Sequence, residues 1–199
     1  MAVLTAANQL TLLRVLLVPV FVLCMLYDLP GWALVTFAVA GATDAFDGLL
    51  ARWLGQPTTL GAWLDPMADK LLVAAMFVML TLPGAGHVNR IPLWLTVLVL
   101  SRDIVIVLTV AIVNLAVRPR TFRPSMLGKT ATAAFVITGV VTLFANYQRE
   151  ESPLVSLGVY VSLCLTVASA AEYVVLVGRV IASDSGGNPG SDPTRPSSS

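Results

Sequence analysis

Four aspartates in two consecutive apolar segments are the residues whose type and spacing could do chemistry. Asp44 and Asp47 lie in TDAFDGLLARW, and Asp65 and Asp69 lie in LGAWLDPMADK. An α-helix turns by about 100° per residue, so each pair lies on one helix face, and adjacent antiparallel helices would bring all four carboxylates together. Such a cluster repels itself unless a cation neutralises it. Oxygen ligands without His or Cys favour Mg²⁺ or Mn²⁺ over zinc, so the spacing predicts a divalent-cation site.

Small residues and one arginine accompany these acids. Gly48, Ala51 and Gly61 lie within a turn of an aspartate, where the lack of bulk allows a ligand or a facing helix to approach closely. Arg52 adds a planar cation that binds phosphate oxygens in two places. Together, the metal ligands, the arginine and the small residues predict a pocket for a diphosphate.

A structural interpretation of the four aspartates is the alternative. They would then face a water-filled vestibule, or form ion pairs with basic residues of the same region: Arg14, Arg52, Lys70 and Arg102. A single aspartate inside an apolar segment fits this interpretation as well as a functional one. Four of them, with glycines and an arginine at fixed offsets, favour the ligand site.

The amino-acid composition indicates the kind of secondary structure in which these residues lie. The 199 residues are 57% hydrophobic and only 12% charged, and the mean hydropathy is +0.85, which excludes an ordinary water-soluble domain. A net charge of +1 gives no long-range attraction to nucleic acid, so no such partner is expected. The apolar runs are long enough to cross a bilayer as helices and lack the alternation of barrel strands. The sequence therefore predicts an all-α membrane protein.

Six apolar segments are separated by Pro, Gly and charged residues. We predict transmembrane helices over Leu10–Tyr27, Trp32–Trp53, Gly61–Leu82, Pro92–Val117, Ser125–Ala145 and Pro153–Ile181. Residues 1–182 are expected to form one domain. Residues 183–199 are rich in Ser, Gly and Pro and offer too little apolar area to fold, so they predict a disordered tail.

The distribution of basic residues predicts the orientation in the membrane. One side collects most of them: Arg52, Arg118, Arg120, Arg123, Lys129 and Arg179. The other side has Arg90 and Arg149. By the positive-inside rule the richer side is cytoplasmic, which places both termini and a polar cavity containing the aspartates there.

Three further residues of reactive or titratable type are expected to have no role in catalysis or metal binding. Cys24 and Cys164 lie in apolar runs without a metal-binding spacing and are expected to be small buried hydrophobes. His87 is the one histidine of the chain. We expect it to be a solvated loop residue.

Residues 44–69 form the pattern D-x2-D-G-x2-A-R-x8-G-x3-D-x3-D, which resembles the complete signature of the CDP-alcohol phosphotransferases. The resemblance implies a six-helix membrane domain in which an alcohol displaces CMP from a CDP-linked lipid, here CDP-diacylglycerol, with two divalent cations at the diphosphate. It also implies a homodimer in a membrane, most simply the bacterial inner membrane.

The resemblance carries specific roles to residues of this chain. Metal ligands would be Asp44, Asp47 and Asp65, with Asp69 as the general base and also near the second cation. The pocket for the CDP-lipid would be lined by Gly48, Ala51, Arg52 and Gly61, with Thr58 near a phosphate. The opening NQLTLLR resembles the N-x2-T-x2-R start of phosphatidyl-transferring members, which implies that Asn8 and Gln9 contact the nucleotide. Helix capping by Asn8 or Thr11 is the alternative.

The acceptor alcohol is less clearly indicated. A basic segment offers four candidates to bind an acceptor phosphate: Arg118, Arg120, Arg123 and Lys129. Membrane orientation alone also explains these charges. The stretches IPLWLTVLVLSRDIVIV and RPSMLGKTATA resemble cardiolipin synthases of the CMP-forming type, which use phosphatidylglycerol. The opening and LDPMADK equally resemble phosphatidylglycerophosphate synthases, which use glycerol 3-phosphate. We favour phosphatidylglycerol as the acceptor.

Two other classes of protein remain as alternatives. A cation transporter also uses carboxylates inside the membrane, but would distribute them along a path, whereas the four aspartates lie at one end of one helix pair. A lipid-binding scaffold has no need for an intact base at Asp69.

Overall fold

The computed structural model describes residues 6–54, 59–83, 87–116 and 126–185. Side chains are described for residues 12–43, 67–83, 87–105, 107–108 and 126–172. Within these ranges the fold is all-α, as predicted, and contains no strand.

The described residues form six helices, one for each predicted apolar segment. They are α1 (Ala6–Leu26), α2 (Pro30–Leu54), α3 (Thr59–Thr81), α4 (Leu93–Ala116), α5 (Met126–Gln148) and α6 (Pro153–Ser185). α6 therefore includes the first three residues of the predicted tail, and residues 186–199 lie outside the described part of the chain.

α1 and α5 end in the same way, on a residue in the left-handed region that is not glycine. After α1, the amide of Leu29 donates to the carbonyl oxygen of Cys24, five residues earlier (2.9 Å). The amide of Asp28, whose φ is 54°, donates to the carbonyl oxygen of Met25, three residues earlier (3.3 Å). After α5, Glu150 and Arg149 repeat the pattern at 3.2 Å each, with φ of 57° at Arg149. These are Schellman caps, whose last turn normally ends at glycine.

The helices pack around one apolar core. α1 contacts α2 and α3, α3 also contacts α4 and α5, and α5 and α4 both contact α6. Fully buried side chains from α1, α3, α4 and α5 fill the space between them: Phe21, Met25, Met76, Phe77, Leu80, Leu95, Phe135 and Leu143. Rings pack at tilted angles where helices meet, with centroids 6.0 Å apart for Phe21 and Phe37 and 5.9 Å apart for Phe77 and Phe135.

Two helices in the described part of the chain are long and apolar enough to cross a membrane, Met126–Gln148 and Pro153–Glu172. The described side chains of α1 and α2 form shorter apolar stretches, Leu12–Leu26 and Pro30–Thr43. Large apolar side chains such as Ile137, Leu157 and Tyr160 face outwards at about 60% exposure. An apolar exterior of this kind suits lipid as the surrounding medium.

Buried polar contacts tie the loops at one end of the helices together. Asn89, between α3 and α4, receives on its carbonyl oxygen a hydrogen bond from Asn146 Nδ2 (3.0 Å) and donates its backbone N–H to Asn146 Oδ1 (2.7 Å). Its Nδ2 donates to the Glu150 carbonyl oxygen (2.6 Å), and its Oδ1 accepts from the Ser152 amide (3.0 Å). One asparagine thus connects the α3–α4 loop to the α5–α6 loop.

His87 lies beside this network and does not have the solvated position expected for it. Its side chain is buried, with 7% of the residue exposed, and Nε2 has no hydrogen-bond partner among the described residues. The expectation of a solvated loop position was therefore wrong for His87.

Candidate active site

The four aspartates lie on consecutive helices, two on α2 and two on α3. Asp44 and Asp47 are in the second half of α2, and Asp65 and Asp69 are in the first half of α3. Four residues, 55–58, connect the two helices. The side chains of the first three aspartates lie outside the described residues, so the convergence of all four carboxylates stays a prediction. The carboxylate of Asp69 is described and anchors the site.

Asp69 lies beside a buried arginine of α1. The Nη1 atom of Arg14 is 3.8 Å from Asp69 Oδ1. The Arg14 side chain is fully buried, whereas 51% of the Asp69 side chain is exposed. The carboxylate is therefore held from the protein side by a cation and is accessible from the other side. This pair is one of those that the structural interpretation of the aspartates named.

Lys70 is directed away from Asp69, its neighbour in the chain. Its Nζ lies 3.2 Å from Asp103 Oδ2 on α4. The other oxygen of Asp103 accepts a hydrogen bond of 2.9 Å from Arg102 Nη1. Asp103 thus neutralises two cations at once. Arg102 and Asp103 form an ion pair within α4, and Lys70 joins it from α3.

Arg102 joins three helices at this level. Its Nη2 donates to Ser169 Oγ on α6 (3.0 Å) and to the carbonyl oxygen of Gly128 on α5 (3.3 Å). Its guanidinium also lies 5.9 Å from the ring centre of Phe135, within the range of a cation–π contact. With 9% of the residue exposed, Arg102 does not present its charge to solvent.

The other predicted site residues are only partly placed. Several have a helical backbone and no described side chain: Asn8 and Gln9 on α1, Gly48, Ala51 and Arg52 on α2, and Gly61 on α3. Thr58, Arg118, Arg120 and Arg123 lie outside the described residues. Lys129 is exposed in the first turn of α5, and its proposed contact with the acceptor stays a prediction.

No three acidic, His or Cys side chains form a metal-binding group among the described residues. The described ranges include only one of the four aspartate side chains, so the predicted cluster stays a prediction. The donor chemistry fits a hard cation, because every predicted ligand is a carboxylate.

Two further residues support the site. Arg14, which the sequence offered as a possible ion-pair partner of the aspartates, is the fully buried cation beside Asp69. Ser169 was not predicted from the sequence, and it accepts a hydrogen bond from Arg102. A charged residue in the middle of an apolar helix was the available signal for Arg14, while nothing in the spacing indicated the partner of Ser169.

Comparison with known proteins agrees with the motif. A model of the CDP-alcohol phosphatidyltransferase family matches residues 4–177. The chain is 36% identical over 177 residues to a probable phosphatidylglycerophosphate synthase of Mycobacterium tuberculosis, covering 84% of this chain and 79% of the relative. It is 31% identical over 183 residues to a CDP-diacylglycerol–glycerol-3-phosphate 3-phosphatidyltransferase of Bacillus subtilis, covering 83% and 91%. It is 33% identical over 157 residues to human cardiolipin synthase (CMP-forming), covering 71% and 50%.

Proposed function

The chain belongs to the CDP-alcohol phosphatidyltransferase family, and from this premise we propose that it transfers the phosphatidyl group of CDP-diacylglycerol to an alcohol and releases CMP. Family membership makes it a transferase of phospholipid biosynthesis in a membrane, which sets the cation transporter and the scaffold aside. The observation that carries the residue assignment is Asp69, a carboxylate whose side chain is 51% exposed and lies 3.8 Å from the buried Arg14.

Asp69 is the general base in this proposal. An alcohol is a weak nucleophile near neutral pH, so a base must remove its proton as the oxygen attacks. The acceptor oxygen forms a bond to the phosphatidyl phosphorus, its proton passes to Asp69, and the bond from this phosphorus to the CMP oxygen breaks. CMP leaves with the electron pair of that bond. Arg14, 3.8 Å from Asp69 Oδ1, holds the carboxylate in place.

Lys70 is excluded from this step by its contact with Asp103. A free ammonium beside the base would compete with the acceptor for the Asp69 carboxylate. The 3.2 Å ion pair between α3 and α4 directs it elsewhere. Asp103 is a positioning residue in this account, and so is Arg102, which holds Asp103 in place.

Two divalent cations, Mg²⁺ or Mn²⁺, would be bound by Asp44, Asp47, Asp65 and Asp69. When bound, they supply positive charge at the diphosphate, where negative charge accumulates during transfer. The carboxylate-only ligand set supports this assignment. The proposed pocket for the CDP-lipid is formed by Asn8, Gln9, Gly48, Ala51, Arg52, Thr58 and Gly61.

Two acceptors are candidates, and both contain a phosphate. The sequence motifs favour phosphatidylglycerol, which would give cardiolipin. Two relatives match over a larger share of both chains than human cardiolipin synthase does, and this supports glycerol 3-phosphate as the second candidate. One is named as a probable phosphatidylglycerophosphate synthase and the other as a CDP-diacylglycerol–glycerol-3-phosphate 3-phosphatidyltransferase. The proposed acceptor-phosphate contacts are Arg118, Arg120, Arg123 and Lys129.

The proposed setting is the bacterial inner membrane, with all six helices spanning it, both termini and a polar cavity on the cytoplasmic side, and two copies forming a dimer. The excess of basic residues on that side supports the orientation.

A parallel assay tests the proposal. Purified protein with Mg²⁺ receives CDP-diacylglycerol and either phosphatidylglycerol or glycerol 3-phosphate, and mass spectrometry identifies the lipid product. We expect CMP and one new phospholipid, cardiolipin in the first arm or phosphatidylglycerophosphate in the second. Absence of CMP release with both acceptors, and with Mn²⁺ in place of Mg²⁺, would contradict the proposal.

A further inference from the structure

A cavity of about 630 Å³ lies at the end of α1 and α5, away from the candidate active site. Its lining includes Asp28 and Arg149, together with the start of α2. Asp28 follows Arg14 by fourteen residues, about 20 Å along a helix axis, so this cavity is separate from the site around Asp69. Its size is in the range of pockets that bind small molecules.

Opposite charges form the rim of the cavity. Arg149 Nη2 donates to Asp28 Oδ2 at 3.4 Å, and the two side chains are 70% and 44% exposed. At this distance and exposure the pair contributes little to stability. Both charges are accessible to a ligand that carries the complementary pair.

Both charged residues of the rim have a backbone conformation that glycine would adopt at a lower free-energy cost. Asp28 and Arg149 are the two non-glycine residues with positive φ among the described residues, at 54° and 57°. Each lies at the position of a Schellman cap where glycine is usual. Glycine at either position would relieve this backbone strain. The presence of a charged residue there instead points to a role for its side chain.

The walls of the cavity are mainly apolar. Trp32, Val35 and Tyr147 line it and are each more than half exposed. A Cβ at Gly31 would come within 3.0 Å of the Tyr147 ring, so the ring lies close against the backbone of α2. A ligand that fits here has a charged part at the rim and an apolar part along α2.

We infer that this cavity binds the headgroup of a zwitterionic phospholipid with a phosphoethanolamine group. The phosphate contacts Arg149, whose guanidinium matches phosphate oxygens, and the ammonium contacts Asp28. The glycerol and upper acyl chains lie against Trp32 and Val35. We assign the phosphate and the ammonium to a lipid because α5, which ends at the cavity, is long and apolar enough to span a membrane. The end of such a helix lies at the level of the lipid headgroups.

Lipid binding by the purified full chain tests the inference. Native mass spectrometry compares phosphatidylethanolamine with phosphatidylethanol of the same acyl chains, which lacks only the amino group. We expect the wild-type chain to prefer phosphatidylethanolamine by about fivefold, the upper range for an exposed charge pair. Asp28→Asn removes the preference, and Arg149→Gln weakens binding of both lipids. Glu151→Gln, a carboxylate change outside this cavity, leaves the preference intact.

Asp28→Gly separates loss of the ligand from loss of the fold. Glycine relaxes the cap of α1, so this variant stays folded while losing the preference for phosphatidylethanolamine. Equal binding of both lipids by the wild-type chain, or a preference that survives in Asp28→Gly, would overturn the inference. So would competition by water-soluble glycerophosphoethanolamine as strong as that by the lipid, because it would remove the role of the apolar wall.

Discussion

Lys70 Nζ and Asp103 Oδ2 lie 3.2 Å apart, so the cation next to the candidate base is bound to a different helix. Asp103 also accepts from Arg102, which in turn reaches α5 and α6. The position of Asp69 relative to the rest of the bundle therefore depends on polar contacts that cross four helices. This arrangement determines which substitutions should affect stability and which should affect turnover.

Asp103→Asn tests the support of the site. Arg102, with 8% of its side chain exposed, would lose the carboxylate that neutralises it, and we expect a loss of about 1–3 kcal/mol of stability. Lys70→Met should cost less than about 1 kcal/mol, because Lys70 is 39% exposed. Thermal unfolding in one detergent compares the variants. Equal losses of stability in the two variants would show that the contact between Arg102 and Asp103 contributes no more than the contact between Lys70 and Asp103.

The asparagine network should contribute strongly to stability. Asn146→Ala removes the acceptor of the buried Asn89 amide and the donor to the Asn89 carbonyl oxygen. Leaving these buried groups unpaired should cost about 2–4 kcal/mol. Gln148→Ala, an exposed position two residues later, is the matched control. Unfolding midpoints within error of each other would contradict this account.

Gly139 is a position where α5 and α3 approach closely. A Cβ there would overlap with Met76 Cε and Met76 Sδ. Met76 is fully buried, so Gly139→Ala should cost about 1–3 kcal/mol through overpacking. The double variant Gly139→Ala with Met76→Ala should be more stable than the sum of the two single changes predicts. Additive losses in the double-mutant cycle would place the strain elsewhere.

His87 gives the fold a dependence on pH. Burial lowers the pKa of His87 below its usual 6.5, with Arg90 acting in the same direction and Asp28 opposing both. The unfolded chain then binds a proton more readily than the folded chain. Stability is therefore fully present above about pH 6.5 and falls as the pH drops below it, by up to about 1.4 kcal/mol per pH unit.

His87→Leu removes this titrating group and should flatten the dependence of stability on pH between pH 7.5 and pH 5. This window surrounds the pKa of histidine in the unfolded chain. Unfolding temperatures across that window measure the effect, with Val88→Ala on the same loop as control. A wild-type profile that is already flat, or one unchanged by His87→Leu, would contradict the assignment.

The sequence predicted the number and order of the helices because each apolar run is interrupted by Pro, Gly or charged residues. It did not predict the caps at Asp28 and Arg149, since neither position has the glycine that usually signals such an ending. The spacing of the acids on α2 and α3 predicts a cluster, and the structure places one of its four side chains, Asp69, beside Arg14. Asn89 was not predicted as a structural centre, because its partners are distant in the chain and only the folded arrangement brings them together.

The most direct test is CMP release from CDP-diacylglycerol by the Asp69→Asn variant, with Mg²⁺ and the acceptor that the wild-type protein uses. Loss of a general base should reduce turnover by about 10²–10⁴-fold, with the unfolding temperature close to that of the wild type because Asp69 is half exposed. Glu151→Gln, at the opposite end of the bundle, should retain wild-type turnover. A folded Asp69→Asn variant with wild-type CMP release would contradict the central claim that this carboxylate takes the acceptor proton.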